Sequence, residues 1–306
     1  MIQVYFMKGA KMKISYFPGC TLKTMAKNFE DSAIASLSFL GIEMVELPRW
    51  NCCGTVYSLT SDDLIHQVAP IRNLIRVKEA RDTRVVALCS MCYHTLKRVN
   101  KLVKEDKEKL DKLNNLMYRE DVKYNGEVEV LHLLEILKNE VGFNQVSRKV
   151  KMPLKGLKVA PYYGCLLLRP AEAGLDDPES PTILKDFLES VGAEAIDSPY
   201  ETECCGSYHT VVNINLVVER AYDILSFAIS QKAEAIVLSC PLCGFNLDHR
   251  QKEIKEKFPD FKSIPVFYFT QLLALSLGLD EKVCRFELNF IDPRPLLKNK
   301  HLIGEV

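Results

Sequence analysis

The chain has 306 residues, of which 47% are apolar, enough for one large or two ordinary domains with a hydrophobic core. Its 40 basic and 40 acidic residues balance, so the composition gives no support for a nucleic-acid partner, whose phosphates attract clustered positive charge. No apolar run reaches the roughly 18 residues that cross a bilayer, and residues 1–7 lack the pattern of a secretion signal. We therefore expect a globular, cytoplasmic protein.

The first half of the chain alternates between predicted strands and helices. We interpret residues 1–11 as an N-terminal extension, because the first predicted strand begins with its own methionine, Met12, a candidate start. The heavily charged segment 104–123 is expected to be a solvated helix or loop. The patterns predict strands over residues 12–17, 44–47, 84–88 and 128–130, and helices over 24–40, from a cap at 61–63 to about 80, over 92–103 and over 131–141.

The second half repeats this order element by element. Alternating strands and helices predict parallel sheets with helices on their faces. We therefore predict an α/β fold of two tandem, pseudo-symmetric Rossmann-like domains, each a small parallel sheet flanked by helices. The strands are predicted over residues 158–162, 194–196, 235–238 and 266–269, and the helices over 181–191, 213–231, from the fourth cysteine of this half to about 258, and over 271–277.

The domain bounds follow from this repeat. We expect a first domain over residues 12–147 and a second over residues 156–284, joined by the basic, proline-containing segment 148–155. Residues 285–306 form a polar tail with few helix signals, and we expect this tail to dock onto a partner protein of the same complex, with simple disorder as the alternative.

Ten of the eleven cysteines form two sets with matching spacing. In each set a first cysteine precedes a Cys-Cys-Gly sequence, with 31 residues between them in the first set and 38 in the second. A Cys-x-x-Cys sequence follows after 35 residues in the first set and 34 in the second. Corresponding cysteines lie 145 to 152 residues apart, far beyond a solenoid period, which indicates duplication of a whole domain. The first set comprises Cys20, Cys52, Cys53, Cys89 and Cys92, and the second comprises Cys165, Cys204, Cys205, Cys240 and Cys243.

Each set offers more thiols than an ordinary metal site uses. A structural zinc ion and a cubane iron–sulfur cluster each take four ligands, so a fifth thiolate favours a larger or less regular cluster. Two alternatives stay open from the residues alone. One is a disulfide framework, which the length of the chain and a reducing compartment disfavour. The other is two zinc sites with a spare cysteine each. The eleventh cysteine, Cys284, is interpreted as a bystander.

The spacing of the two sets resembles that of the cysteine-rich CCG domain family, and in particular the B subunit of heterodisulfide reductase. The resemblance runs from Met12 over nearly all of the chain and includes the segments 17–20 (Phe-Pro-Gly-Cys) and 164–170 (Gly-Cys-Leu-Leu-Leu-Arg-Pro). It implies that each set holds one noncubane [4Fe-4S] cluster through its five thiolates, so that all ten cysteines are cofactor and metal ligands.

The resemblance also implies an activity and two partners. The activity is reductive cleavage, or formation, of a disulfide such as the mixed disulfide of coenzyme M and coenzyme B, bound between the two halves with one sulfur at each cluster. The electrons must come from outside, because the chain shows no flavin or nicotinamide fingerprint. The implied partners are an iron–sulfur electron donor like the C subunit of heterodisulfide reductase and a flavin-containing protein like its A subunit.

One position departs from the family pattern. Methanogen members have a histidine directly after the first cysteine of the second half, where this chain has Leu166. The difference favours another disulfide or persulfide as substrate. It leaves open lipoate-bound sulfur in a heterodisulfide-reductase-like sulfur-oxidising complex, and electron relay as the iron–sulfur subunit of a glycolate, lactate or succinate oxidoreductase. A further alternative places one zinc ion in the first set and a cluster only in the second.

A few residues outside the cysteine sets are candidates for the chemistry. His209 follows the second Cys-Cys pair by four residues and is a candidate proton donor, and His94 is a weaker one. Arg169 is a candidate clamp for an anionic group of the substrate, with a structural role as the alternative. Trp50 precedes the first Cys-Cys pair and is expected to pack over the first cluster.

Overall fold

The chain folds into two similar α/β halves, as the sequence predicts. The computed structural model describes residues 12–55 and 63–304. Within these ranges each half contains one four-stranded sheet, and all of the pairings in both sheets are parallel. No helix within the described ranges is both long and apolar enough to cross a bilayer.

The first half supplies four strands and the helices between them. In chain order its described elements are β1 (Met12–Phe17), α1 (Gly19–Leu22), α2 (Lys27–Leu40), β2 (Ile42–Glu46), α3 (Leu64–Glu79), β3 (Arg84–Ala87), α4 (Ser90–Glu105), α5 (Lys107–Leu116), β4 (Glu129–His132), α6 (Leu133–Ile136), a π-helical turn (Leu137–Val141) and α7 (Phe143–Lys149).

The second half repeats the order and ends in a tail with its own short helix. Its described elements are β5 (Lys158–Pro161), α8 (Ile183–Ser190), β6 (Glu194–Ala195), a 3-10 turn (Ser207–His209), α9 (Ile214–Ser230), β7 (Ala235–Leu238), α10 (Pro241–Gly244), a π-helical turn (Phe245–His249), α11 (Gln251–Lys257), β8 (Val266–Tyr268), α12 (Phe269–Ser276), two 3-10 turns (Glu281–Cys284 and Phe286–Leu288) and α13 (Arg294–Asn299).

The two sheets have the same topology. The strand order is β2-β1-β3-β4 in the first half and β6-β5-β7-β8 in the second. The inner strands are apolar and buried: Val85 and Val86 of β3 and all of β7 are covered on both faces, as in parallel sheets flanked by helices. Because all strands are parallel, their carboxyl ends meet at one edge of each sheet, where the cysteine loops begin.

The two halves pack together reciprocally. Helix α2 of the first half lies on α12 of the second, where the ring of Phe29 stacks on Tyr268 with centroids 4.4 Å apart. In return α8 of the second half lies on α7 of the first, through Phe143 and Phe187 with centroids 6.3 Å apart. The interface therefore uses the equivalent helices α2 and α8, each packed on a helix near the end of the other half.

The tail packs against its own chain. Arg285 pairs with Asp31 of α2 at 2.9 Å, and the Asn289 amide donates to the Val266 carbonyl at 2.7 Å. Leu297 of α13 is fully buried. The segment therefore joins the two halves, and docking onto a partner protein stays a prediction for the surface that the tail leaves exposed.

Several predicted bounds move by a few residues. The helix predicted from residue 24 begins at Lys27, because residues 19–22 form a separate turn of helix that carries the first cysteine. The helix predicted over 131–141 begins after His132, and its second half is π-helical. In the predicted cap at 61–63, Asp63 accepts a hydrogen bond from the Ile65 backbone at 3.0 Å. The rest of that cap and the predicted extension lie outside the described residues.

Candidate functional site

The five thiols of the first set converge at the carboxyl edge of the first sheet. Cys20 lies in α1, and its sulfur is 3.8 Å from that of Cys52 in the turn after β2. The thiol of Cys53 interacts with those of Cys52 and Cys92, and Cys92 in turn with Cys89. The sequence separates these residues by up to 72 positions, and the fold brings them into one group of contacts.

The second set repeats this arrangement. The sulfurs of Cys205 and Cys243 lie 3.3 Å apart. The thiol of Cys165 interacts with that of Cys204, and the thiol of Cys240 with that of Cys243. Among the described residues, no group of three or more His, Cys, Asp or Glu side chains has the arrangement that holds a single metal ion. The thiols of each set contact one another, a grouping that suits a centre wider than one ion.

A glycine precedes the first cysteine of each set and makes room for a sulfur atom. Gly19 has a φ of +69°, and a Cβ atom there would lie 2.8 Å from the Cys92 sulfur. Gly164 has a φ of +65°, and its Cβ would lie 3.4 Å from the Cys243 sulfur. Only glycine adopts this backbone without strain and allows such an approach, so both positions form part of the cysteine sites.

The electrostatic surroundings favour negative charge on part of the thiols. The hydrogen bond from Cys165, aided by the backbone N–H groups of Gly206 and Ser207, lowers the pKa of Cys204 to about 6. The thiols of Cys243 and Cys89, with the backbone N–H groups of Leu242 and Cys243, lower the pKa of Cys240 well below its usual value. In the first set the thiols of Cys52 and Cys92 lower the pKa of Cys53 in the same way. Both sites are therefore suited to an anionic cluster of sulfur ligands.

The two sets meet at the domain interface. The hydroxyl oxygens of Ser90 and Ser239 lie 2.7 Å apart. They adjoin Cys89 and Cys240, which are close enough to affect each other's pKa: Cys240 raises the pKa of Cys89 well above its usual value, whereas Cys243 and Cys89 lower that of Cys240 well below. Both cysteines are buried, so the sets approach each other in the interior of the protein. Towards the surface each set ends in two accessible cysteines, which are exposed in the first set and half-buried in the second.

Part of the chain matches a known protein family. The family, described as a cysteine-rich domain and abbreviated CCG, matches residues 14–97 and 159–248, more than half of the chain. The chain belongs to the cysteine-rich CCG family. One matched segment falls in each half and contains all five cysteines of its set, so the family prediction is confirmed.

Two relatives cover nearly all of the CCG chain. It is 30% identical over 285 residues to the 8-methylmenaquinol:fumarate reductase membrane anchor subunit of Wolinella succinogenes, covering 93% of this chain and 99% of the relative. It is 29% identical over 286 residues to the B subunit of the ferredoxin/F420H2-dependent CoB-CoM heterodisulfide reductase of Methanosarcina acetivorans, covering 91% of this chain and 94% of the relative. Both likenesses support a role as one subunit of an oxidoreductase.

One solved structure has the same fold. A hypothetical protein from Helicobacter pylori superposes with a TM-score of 0.75 at 12% sequence identity, covering 91% of the CCG chain. The CCG chain spans 51% of the length of that protein, and the likeness concerns the fold alone.

The predicted catalytic residues Arg169 and His209 do not form hydrogen bonds with the described cysteines. The Arg169 guanidinium donates to the Thr202 carbonyl at 2.9 Å and to the Pro178 carbonyl at 2.8 Å. These bonds favour its structural alternative, because they tie the Cys165 loop to its surroundings. His209 is exposed on a 3-10 turn. Within the described ranges no hydrogen bond joins either side chain to a cysteine, and their catalytic roles stay predictions.

His94 and Trp50 lie beside the first set. His94 is buried in α4, and burial, with Arg98 nearby, lowers its pKa to about 4. The Arg169 carbonyl is near the ring, but no described residue makes a hydrogen bond of normal geometry with either ring nitrogen. Trp50 packs edge-on against Phe17 with centroids 6.1 Å apart.

Two further residues lie at the site and are not predicted from the sequence. The Asn246 amide donates to the Cys205 carbonyl at 3.1 Å and lies 3.5 Å from the Cys205 sulfur. Tyr268 ends β8 near Cys240 and Cys89. Two sequence features could have identified them. Asn246 follows the last cysteine of its set by three residues, which is helical spacing, and Tyr268 ends a strand of the parallel sheet at the edge where the cysteines lie.

Proposed function

We propose that the CCG chain is the catalytic subunit of a heterodisulfide-reductase-type complex that reductively cleaves, or forms, a disulfide at two noncubane [4Fe-4S] clusters, one in each cysteine set. The observation that carries the proposal is that the two sets approach each other across the domain interface, where the hydroxyls of Ser90 and Ser239, next to Cys89 and Cys240, lie 2.7 Å apart. A disulfide has two sulfur atoms and takes up two electrons when it is cleaved. Two adjoining thiol-rich sites can therefore receive both halves of one substrate.

The ten cysteines fit such a pair of clusters. Five thiols gather in each half, and in each half the surroundings lower the pKa of part of the set, Cys53 in the first and Cys204 and Cys240 in the second. Gly19 and Gly164 leave space beside the sulfurs of Cys92 and Cys243. Bound there, the clusters would supply single electrons and iron atoms that accept sulfur ligands. In the alternative with one cluster and one zinc ion, the zinc ion would bind to first-set cysteines. That arrangement would differ from two clusters in its iron and zinc content.

The remaining side chains would exclude water and hold protons close to the sulfurs. Burial, together with the nearby cysteines, raises the pKa of Tyr162 well above its usual value, so its hydroxyl stays protonated and donates to the Glu203 carbonyl at 2.6 Å. The Asn246 amide lies 3.5 Å from the Cys205 sulfur. A donor at this position stabilises negative charge on the sulfur and raises the reduction potential of a thiolate-bound cluster.

We further propose that the electrons reach the CCG chain from an iron–sulfur protein and from a flavin-containing protein, like the C and A components of heterodisulfide reductase, in the cytoplasm. The supporting observation is that both relatives are named as parts of larger enzymes. The physiological disulfide is the mixed disulfide of coenzyme M and coenzyme B or another one, such as lipoate-bound sulfur. The half-buried Leu166, in place of a histidine, supports the second choice.

A second candidate function is electron relay within a fumarate or succinate oxidoreductase. It is favoured by the 30% identity to a fumarate reductase component whose whole length the CCG chain nearly matches. Relay would need the same clusters but no access of a disulfide to them.

The test uses anaerobically purified CCG chain with reduced methyl viologen as electron donor. The proposal predicts viologen oxidation that depends on an added disulfide, with the coenzyme M–coenzyme B disulfide, lipoamide and cystine compared. A protein that is loaded with iron but oxidises no viologen with any disulfide would support relay and contradict the disulfide activity.

A further inference from the structure

A cavity of about 420 Å³ opens between the two halves, on the side of the first cysteine set. Thr21, which follows Cys20, lines one wall. Leu242 and Gly244, on either side of Cys243, line the opposite wall. The cavity therefore reaches the surroundings of both cysteine sets. Its volume is within the range of sites that hold small organic ligands, about 300–1,000 Å³.

The polar side chains in the wall are already engaged with the chain itself. The Thr24 hydroxyl donates to the Cys20 carbonyl at 3.1 Å, and the Asn28 amide to Asn289 at 3.2 Å. The Asp248 carboxylate accepts from the Phe290 backbone at 2.7 Å. No Lys or Arg is among the described residues that line the cavity. The wall therefore presents mainly apolar surface to a ligand, and the exposed His249 is the basic residue among those that line it.

Tyr268 also lines the cavity. A Cβ atom on Gly244 would lie 2.6 Å from its hydroxyl. The hydroxyl lies near Cys240 and Cys89. Burial raises the pKa of Tyr268 well above its usual value, so this lining residue keeps its hydroxyl proton.

The equivalent surface on the other side of the interface has a different character. There the position that corresponds to Phe245 is His94, and the position that corresponds to Thr24 is Arg169. The ring of His94 lies near the Arg169 backbone, and Arg98 lies close to both His94 and Tyr208. The two sides of the interface therefore carry different residues at equivalent positions.

We propose that the 420 Å³ cavity binds an uncharged, largely apolar molecule with a hydrogen-bond-accepting oxygen, which the Tyr268 hydroxyl recognises. A quinone ring and lipoamide share this chemistry. The inference deepens the proposed function, on which its connection with the clusters rests, while ligand binding itself requires only the folded chain. A strongly anionic disulfide would find no Lys or Arg in this wall.

Isothermal titration calorimetry on the anaerobically purified protein tests the proposal with three probes. Duroquinone represents the quinone ring and carries no free ring position for attack by thiols. Lipoamide and lipoate share the same disulfide ring and chain and differ at one end, where lipoamide has an uncharged amide and lipoate has a carboxylate. We expect duroquinone or lipoamide to bind below about 1 mM, and lipoate at least tenfold more weakly than lipoamide. Which neutral probe binds more tightly distinguishes the two sources of ligand.

Two variants with matched controls locate the binding. Tyr268→Phe should weaken binding of the neutral probe about five- to tenfold, whereas Tyr208→Phe, a tyrosine near the cysteines but outside the cavity, should not. Leu288→Arg places a charge on the exposed rim and should weaken binding, whereas Leu116→Arg on α5 makes the same exchange far from the cavity.

The outcomes separate this proposal from the proposed function. No binding of either neutral probe, equal binding of lipoate and lipoamide, or unchanged binding in both cavity variants would overturn it. Iron and sulfide content, measured on the same samples, reports on the clusters independently. A protein without clusters that binds a neutral probe through Tyr268 would support the ligand site and count against the disulfide chemistry.

Discussion

The hydroxyl oxygens of Ser90 and Ser239 lie 2.7 Å apart, although 149 residues separate them in the sequence. Ser90 follows Cys89, and Ser239 precedes Cys240. The Ser90 backbone N–H also points to the Ser239 carbonyl at 3.4 Å. This pair connects the two halves at the point where the cysteine sets meet, so it fixes the position of one set relative to the other.

The serine pair should therefore show energetic coupling. Ser239→Ala is expected to lower the free energy of unfolding by about 1–2 kcal/mol, because it leaves the buried Ser90 hydroxyl without this partner. The double variant with Ser90→Ala should lose less than the sum of the single losses. Urea denaturation of the four proteins measures the coupling. Strictly additive losses would show that the two hydroxyls do not interact.

Removing one accessible thiol should empty one site only. Cys52→Ala should lower the iron content from about eight to about four per chain, since the first cluster loses a ligand while the second keeps all five. Cys284→Ala is the matched control, because Cys284 is buried and donates to the Gln271 carbonyl, away from both sets. Its iron content should stay at the wild-type value. Equal iron loss in both variants would argue against the assignment of ligands.

The glycine before the first cysteine should be essential for the first site. Gly19→Ala adds a methyl group 2.8 Å from the Cys92 sulfur, at a positive φ. Gly41→Ala has a positive φ of +89° in the left-handed region, with nothing within 4 Å of the added atom, so it isolates the backbone strain. This strain should destabilise both variants by about 1 kcal/mol, and the close approach to the sulfur should add to the loss in Gly19→Ala. Loss of about half of the iron should occur in Gly19→Ala alone, and its retention would contradict the close approach.

The aromatic stack at the interface should contribute strongly to stability. Phe29 is fully buried between Tyr268 and Phe269, and Phe29→Ala should cost about 3–5 kcal/mol in the free energy of unfolding. Phe39 lies on the same helix but is half-buried beneath Lys151, so Phe39→Ala should cost about 1–2 kcal/mol. Similar losses in the two variants, measured by urea denaturation, would show that the interface packs differently.

His132 should make the stability sensitive to acid. Its Nδ1 accepts a hydrogen bond from the Leu134 backbone at 3.2 Å, so the neutral ring carries its proton on Nε2, which donates to the Leu88 carbonyl at 2.8 Å. Burial lowers the pKa of His132 to about 4. An unfolded histidine titrates near about 6.5. Between these values the unfolded chain binds one proton more than the folded chain, so stability falls as the pH falls.

The expected slope from this residue is at most about 1.4 kcal/mol per pH unit between about pH 6.5 and 4. His132→Asn keeps a side-chain acceptor for the start of α6 but does not titrate. Its free energy of unfolding should depend less on pH than that of the wild type in this window, when both are measured by denaturant titration. Parallel curves for the two proteins would contradict the assignment of the neutral, buried histidine.

Local pattern accounts for most of the fold. The strand over residues 12–17 and that over 235–238 have the predicted bounds, because short apolar runs between turn signals leave few other choices. The convergence of five thiols in each half also agrees with the spacing, since parallel strands bring their carboxyl ends to one edge. These features depend on residues close in sequence or on one sheet.

The relation between the halves could not be predicted in the same way. The approach of Cys89 to Cys240, beside the pair of Ser90 and Ser239, depends on how two complete domains pack, which no local pattern specifies. Arg169 was a candidate because of its distance from Cys165, but its bonding to the Thr202 and Pro178 carbonyls depends on a loop path that sequence spacing does not encode. Tyr268 could be assigned to the site only once β8 was placed beside β7.

The central claim is that each cysteine set holds an iron–sulfur cluster and that the two clusters adjoin. Its most direct test is the content of iron, acid-labile sulfide and zinc in anaerobically purified protein, followed by electron paramagnetic resonance after oxidation with a candidate thiol present. We predict about eight irons and eight sulfides per chain, no zinc, and a signal that depends on the thiol. About four irons with one zinc, and no response to any thiol, would contradict the account.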